Sequence, residues 1–339
     1  MKHKSKANSQ FFFFSLLGLG LVLLVSFIHI RIGMSQITYQ TIMDSIFQPD
    51  GSQAHLIIST IRLPRILLGI FVGASMAMSG LLIQRITANP LASPQVLGIN
   101  AGASLAVVIM IVFFPMSSSF SRMILAFIGA GLIGAFVQFM GYVKKLNALQ
   151  LTLVGLSVQL LLSAITKAIM LLNESKTSDL LFWMSGAIHQ AQMKHIQLIL
   201  PWFVLALCLS LSVSRGLDAL KLGEAVATSL GTRTVLTKSI GVVSVIIFAG
   251  SAVAIAGPIA FIGLMTPHLV SRIRVKAFSQ HLILCGIYGA NLLLISDVIA
   301  KLLKYPYESP VGIVTSFLGA IFYIILTKQH GKRGVLNEK

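Results

Sequence analysis

The chain has 339 residues and a formal net charge of +17, yet only 10% of its residues are charged and 56% are hydrophobic. A soluble domain typically carries about 25% charged residues, so too little polar surface is available here to cover a water-soluble globule. The cations lie in short clusters between apolar stretches, which argues against a nucleic-acid surface and for topology signals and lipid headgroup contacts.

Apolar stretches of about 20 residues, the length a helix needs to cross a bilayer, recur along the chain. Barrel strands of about 10 alternating residues are absent from the sequence. In chain order the predicted spans are 11–31, 64–84, 96–114, 122–142, 149–172, 193–214, 238–257, 259–273, 281–303 and 310–328. The first follows "MKHKSKANSQ", and its apolar run is too long for a signal-peptide core and lacks an A-x-A-like cleavage site. It is read as a retained first span. Ten spans put both termini on one side. The fold class is therefore an all-α integral membrane protein of about ten transmembrane helices, forming one membrane domain over 1–339.

Positive-inside counting orients it. One face collects Lys2, Lys4, Lys6, Arg85, Lys144, Lys145, Arg215, Lys221, Arg233, Lys238, Arg272, Arg274, Lys276, Lys328, Lys332, Arg333 and Lys339, against three anions, Asp218, Glu224 and Glu338. The other face has Arg31, Arg62, Arg65, Arg122, Lys167, Lys176, Lys194, Lys301 and Lys304, against Asp44, Asp50, Glu174, Asp179, Asp297 and Glu308. The first face is predicted to be cytoplasmic. It carries an N-terminal tail (1–10), a C-terminal tail (329–339) and the loop 215–237. Arg62 and Arg65 then lie outside, against the trend, with Pro64 between them at a predicted helix start. The outer segment 32–60 is long enough to have structure of its own.

Chemistry is scarce. There is no G-x-x-x-x-G-K-S/T phosphate loop, no H-E-x-x-H and no G-x-S-x-G turn. An enzyme reading has no residue set behind it, and the chain is expected to bind no cofactor. The two cysteines, Cys208 and Cys285, sit inside apolar spans without a CxxC. Asp297 and Lys167 are the ionisable groups nearest span interiors, where such groups often serve ion pathways. Asp297 and Lys301 are spaced for an i,i+4 pair. Lys167 either snorkels outward or faces a pathway. Span five offers Thr152, Ser157, Gln159 and Ser163, which either line a pathway or bond back to their own helix. Two Pro-interrupted stretches, "ANPLASPQVLGINAG" and "AGPIAFIGLMTPHL", carry a weak internal similarity of the kind that marks transport pathways.

The inner loop "LDALKLGEAVATSLGTRT" mixes apolar Leu217, Leu220, Leu222, Val226 and Leu230 with small residues. Gly223 and Gly231 divide it into two short amphipathic helices. It reads as a docking element for a soluble partner; an interfacial helix lying on lipid favours more cations and bulky aromatics.

The ordered motifs "RLPRILLGIFVGASMAMSGLLIQ", "NPLASPQVLGINAGAS", "LTLVGLSVQ", "FWMSGAI", "LKLGEAVATSLG", "AGPIAFIGLMTPHLVSRI" and "DVIAKLL…ESPVGIVTSFLGAIFYIIL" cover about 61–328. The chain resembles the permease subunit of the ABC importer family that takes up iron-siderophores, haem and cobalamin. The resemblance implies a pair of permease subunits, same or paralogous, in a bacterial cytoplasmic membrane. It also implies two cytosolic ATPase subunits that carry ATP and Mg, and an extracytoplasmic binding protein that delivers a ferric siderophore. On the same ground Arg62, Arg65 and Lys301 are implied in docking acidic residues of the binding protein. Leu222, Gly223, Glu224, Ala225 and Gly231 fall in the ATPase-coupling segment. Lys301 stands where some members have arginine; it keeps the charge without the bidentate geometry. Haem or cobalamin as substrate, or an ion-coupled carrier working through Asp297, are the alternatives.

Overall fold

The computed structural model describes residues 2–32, 52–144, 146–173, 177–303 and 307–336, with side chains throughout except at 2–7, 148, 177–179 and 327–336. Most of the predicted outer segment, with Asp44 and Asp50, lies outside the described residues, as do Lys145, Glu174, Lys176, Lys304, Glu338 and Lys339.

All regular structure among the described residues is helical. The helices are α1 (Lys2–Arg31), α2 (Gln53–Ile57), α3 (Leu63–Thr87), α4 (Ile99–Phe113), α5 (Ser119–Val143), α6 (Ala148–Leu171), α7 (Thr177–Met184), α8 (Met193–Ser212), α9 (Ser214–Leu220), α10 (Glu224–Ser229), α11 (Thr234–Ala256), α12 (Ile262–Val270), α13 (Phe278–Leu303) and α14 (Val311–Leu336). Each of the ten predicted spans holds one apolar helix. Seven are long and apolar enough to cross a membrane, and α4 and α14 supply shorter apolar runs.

Span eight departs from its expectation. Its helix, α12, has nine residues, about 14 Å at 1.5 Å per residue, against an apolar core of about 30 Å. Gly257 takes φ +71° and Phe261 φ +66°, so the chain leaves helical geometry before α12 begins. Such backbone is tolerated at membrane depth only where protein covers it and satisfies it. Here the Ala187 N–H donates to the Ala256 carbonyl (2.8 Å) and the Gly312 N–H to the Gly186 carbonyl (3.0 Å), so three chain breaks close on one another.

The start of α3 also differs. The helical path begins at Gln53 and passes through a π turn, Ile58–Arg62, before α3. Pro64 brings no N–H and its ring crowds the carbonyl one turn back. The wider π turn gives that carbonyl room. Hydroxyls serve the disturbed ladder: Ser59 donates to the His55 carbonyl (2.9 Å) and Thr60 to the Leu56 carbonyl (2.6 Å).

Helix α3 is central: 83% of its apolar window is buried, against 11% for α1. It packs against α13, α11, α12 and α8. Small residues make this possible. A side chain on Gly80 would collide with the Gly263 carbonyl of α12, and one on Gly73 would stand 2.5 Å from the Gly289 carbonyl of α13. The two Pro-interrupted stretches meet at this core, with Gly263 between Gly80 and Pro94. Helix α1 lies outside, tied to α13 by Tyr288 Oη donating to the Phe14 carbonyl (3.1 Å) and Asn291 Nδ2 to the Gly18 carbonyl (2.9 Å).

Candidate functional site

Two ends of the bundle carry the polar chemistry. Asp218 accepts the Phe278 N–H that opens α13 (2.9 Å), so α13 starts beside the loop 215–237. Asp297 lies 19 residues further on, about 28 Å along the axis, at the opposite end.

At that far end the two RLPR arginines turn inward. Arg65 is 3% exposed and Arg62 5%. Arg65 grips Asp297 with two parallel bonds, Nε to Oδ2 (2.7 Å) and Nη2 to Oδ1 (2.8 Å), the fork geometry that guanidinium and carboxylate share. Its Nη1 reaches Glu308 (2.9 Å). His29 Nε2 bonds Asp297 Oδ2 at 2.6 Å, and Lys301 Nζ meets His29 Nδ1 at 3.2 Å. An ammonium only donates, so Nδ1 accepts and Nε2 carries the hydrogen given to Asp297. The imidazole is neutral in this arrangement, and the cluster holds two cations and two anions. Arg62 donates to the Ile30 carbonyl, capping the end of α1.

This corrects two expectations. Arg62 and Arg65 are not held out as a fixed exposed pair, because a buried carboxylate and a helix-end carbonyl, both needing donors, lie within their reach. Asp297 does not pair with Lys301 one turn on; both reach His29 instead. A carboxylate with a bidentate guanidinium and an imidazole on it forms a buried clamp between α1, α3 and α13. His29 was not singled out in the sequence at all, and Glu308 entered it only as an outer-face anion. A histidine near the end of an apolar span is the signal that pointed to the first.

At the end that carries Asp218 the two glycines of the loop 215–237 act as predicted. Gly223 (φ +97°) separates α9 from α10, and Gly231 (φ +81°) ends α10. Leu217 and Leu220 face inward, while Leu222, Val226 and Leu230 stand 62%, 45% and 65% exposed. Ala225 and Gly231 are exposed as well. Glu224 bonds Lys238 of α11 at 2.6 Å, so its charge is already used to hold α10 against the bundle.

On α6, Thr152 accepts from Asn89 Nδ2 (3.0 Å), tying the helix to the break after α3. Ser157 donates back to the Leu153 carbonyl (2.9 Å), the local bond its residue type favours. Gln159 and Ser163 are half-buried, and Lys167 is exposed. Leu149, Leu153, Leu156 and Leu160 form an exposed stripe at helical spacing on the same helix. The structure thus gathers Arg65 and Lys301 in one cluster, with Arg62 beside it at the end of α1, and Leu222, Gly223, Glu224, Ala225 and Gly231 on one exposed loop. The four span-five residues share only their helix.

A cavity of about 460 Å³ opens between the ends of α4, α8 and α11, lined by Trp183, His189, Gln190, His195, Ser119 and Arg122 among apolar residues. Burial, helped by the nearby Arg65 charge, lowers the His189 pKa from its ordinary value.

Comparison with known proteins agrees with this architecture. The model of the FecCD transport family matches residues 21–329. The Fe(3+)-citrate import system permease protein YfmD of Bacillus subtilis (strain 168) is 40% identical over 332 residues, 97% of each chain. The ferric enterobactin transport system permease protein FepD of Escherichia coli (strain K12) is 33% identical over 93% of this chain and 94% of its own. A solved structure described as an inward-facing metal-chelate type ABC transporter superposes with a TM-score of 0.80 at 27% identity, over 93% of this chain and 98% of that one. A family match across so much of the chain, on helices in the same order, means that this chain belongs to the FecCD transport family.

Proposed function

We propose that the chain is the membrane-spanning permease subunit of an ATP-binding-cassette importer that passes an iron-siderophore complex, or a ferric chelate of similar kind, into the cytoplasm. It is a multi-pass protein of the cytoplasmic membrane and a transport subunit rather than an enzyme. The names of its relatives, YfmD for ferric citrate and FepD for ferric enterobactin, support iron over haem or cobalamin. One structural observation carries the energetic half of this reading. Leu222, between α9 and α10, Val226 on α10 and Leu230 at its end stay exposed outside the apolar bundle, in a chain without a phosphate loop. An exposed apolar patch on a watery loop marks a protein contact, and a soluble ATPase holding ATP and Mg is the partner that supplies what this chain lacks.

Transport then follows as a population shift. Closure of the paired ATPases pulls on α9 and α10 of each of two permease subunits, and the packed helices slide to open the opposite side. The apolar stripe of α6 suits it for the contact between the two subunits, with Thr152, Ser157, Gln159 and Ser163 on the adjoining faces as pathway candidates. At the outer end an acidic binding protein docks by exchange: an incoming carboxylate displaces Glu308, 45% exposed, from Arg65 Nη1, while Arg62 and Lys301 add positive potential.

The test is reconstitution in liposomes with the ATPase and binding protein. ATP-dependent uptake of a ferric chelate is expected, and uptake that persists without the ATPase overturns the reading. In the same preparation Glu308→Gln tightens binding-protein association at low salt; an unchanged affinity sinks docking by exchange.

A further inference from the structure

The cavity at the outer end has a chemistry that the importer reading does not require. A permease fed by a specific binding protein works with a featureless pathway, but this wall is rich in hydrogen-bond donors. Arg122, on the first turns of α5, uses Nε on Ser117 Oγ (3.1 Å) and Nη2 on the Pro115 carbonyl (3.4 Å). These bonds brace the guanidinium from one side, and both its partners are neutral. His195 Nδ1 accepts the Gln192 N–H (3.2 Å), which leaves the ring hydrogen on Nε2, a donor. Gln190, Ser119 and Trp183 add an amide, a hydroxyl and an indole N–H. The His189 ring packs edge-on to Phe182 with centroids 4.6 Å apart, and its buried Nδ1 has no hydrogen-bond partner.

Sign and size narrow the ligand. No carboxylate occurs among the described residues that line the cavity. Among the described side chains, the acids whose charge reaches His189, Asp297 and Glu308, are matched in the clamp by Arg65 and Lys301, so Arg122, with Lys194 beside His195, sets the sign. At about 460 Å³ the volume falls within the range of about 300–1,000 Å³ usual for small-molecule sites. A braced guanidinium in a donor-rich cavity whose described wall carries no carboxylate suits an anion that presents several oxygen acceptors.

We propose that this cavity is a binding site for a polycarboxylate anion, by which each permease subunit holds the carboxylates of an anionic chelate on its way in. The assignment rests on the importer reading for its role and on Arg122, His195 and Gln190 for its chemistry. It separates carboxylate-bearing chelates, which the site holds, from uncharged ones, which pass without it.

The test uses the full chain in zwitterionic and in anionic nanodiscs, with radiolabelled citrate in equilibrium dialysis and Trp183 fluorescence in Trp202→Phe, which leaves one of the two tryptophans. Saturable citrate binding is expected in both lipids. Arg122→Gln weakens it about tenfold or more, as loss of a charged hydrogen-bond partner does, while Arg122→Lys, which keeps the charge, retains most of it. An uncharged ferric hydroxamate gives no saturable signal. The proposal is overturned by absent citrate binding, by equal binding in Arg122→Gln, or by equal binding of the uncharged chelate. It is overturned equally if inorganic phosphate or anionic lipid displaces citrate one for one, because the site then reads headgroups. Each outcome leaves ATP-driven uptake to be measured separately, so failure of the site and failure of the importer reading remain distinguishable.

Discussion

Removing the Asp297 carboxylate leaves Arg65 buried, 3% exposed, with only the half-exposed Glu308 to balance it. Breaking one side of a buried ion pair costs about 3–5 kcal/mol, whereas replacing both sides by neutral groups costs far less. Asp297→Asn is therefore expected to lower the thermal unfolding midpoint in detergent by more than the double variant Arg65→Gln/Asp297→Asn does. A double-mutant cycle reads the coupling, and additive effects sink the clamp. The partners of this aspartate were out of reach of the sequence for a plain reason. Lys301 is four residues away and invites an i,i+4 pairing, while Arg65 and His29 are 232 and 268 residues away. Span periodicity gives no way to match side chains across α1, α3 and α13. The charge of RLPR and its place at a helix end were legible; the direction in which the arginines point was not.

Among the elements, the coupling pair α9–α10 follows directly from local sequence, because glycine is the residue that takes positive φ without penalty and two of them bracket "EAVATSL". Here Glu224 and Lys238 form a mostly solvated pair, worth little alone, yet it fixes α10 against α11. Glu224→Lys puts two ammonium groups together and is expected to reduce ATP-driven uptake severalfold. The swap Glu224→Lys/Lys238→Glu restores the pair, so recovered uptake means that Glu224 acts by positioning α10. Uptake that stays low in the swap means instead that Glu224 meets the ATPase itself, which overturns the positioning account. Elements whose signal is a dihedral angle were harder to see. Apolarity over 259–273 reads as a span, but Gly257 and Phe261 at positive φ cut it to the nine residues of α12. The π turn before α3 left one trace, Pro64 with Ser59 and Thr60 upstream, which hydropathy does not weigh. Helix α7 fell within a predicted loop because eight residues are too few for a span.

Over the whole molecule, α3 and α13 act as a pair of struts from one polar end to the other. The Arg65–Asp297 clamp joins them at one end, and Arg85 over the Phe278 ring, 5.6 Å from its centroid, joins them at the other. Between these points Gly73 and Gly289 let the backbones touch. Because Asp218 ties α9 to the first residue of α13, packed backbone joins α9 to the clamp. That route carries work inward to outward only if the two ends face opposite compartments, which the cation count predicts. Cysteine accessibility checks it in a Cys208→Ser background, since Cys285 is buried and shielded from reagent. Met116, 97% exposed in the α4–α5 connection, and Leu222, 62% exposed between α9 and α10, are the reporters. In intact cells a membrane-impermeant maleimide is expected to label Met116→Cys and to reach Leu222→Cys only after permeabilisation. The reverse pattern inverts the molecule and puts the RLPR clamp in the cytoplasm. Labelling of both without permeabilisation breaks the two-ended arrangement, and with it the route from the ATPase to the outer mouth.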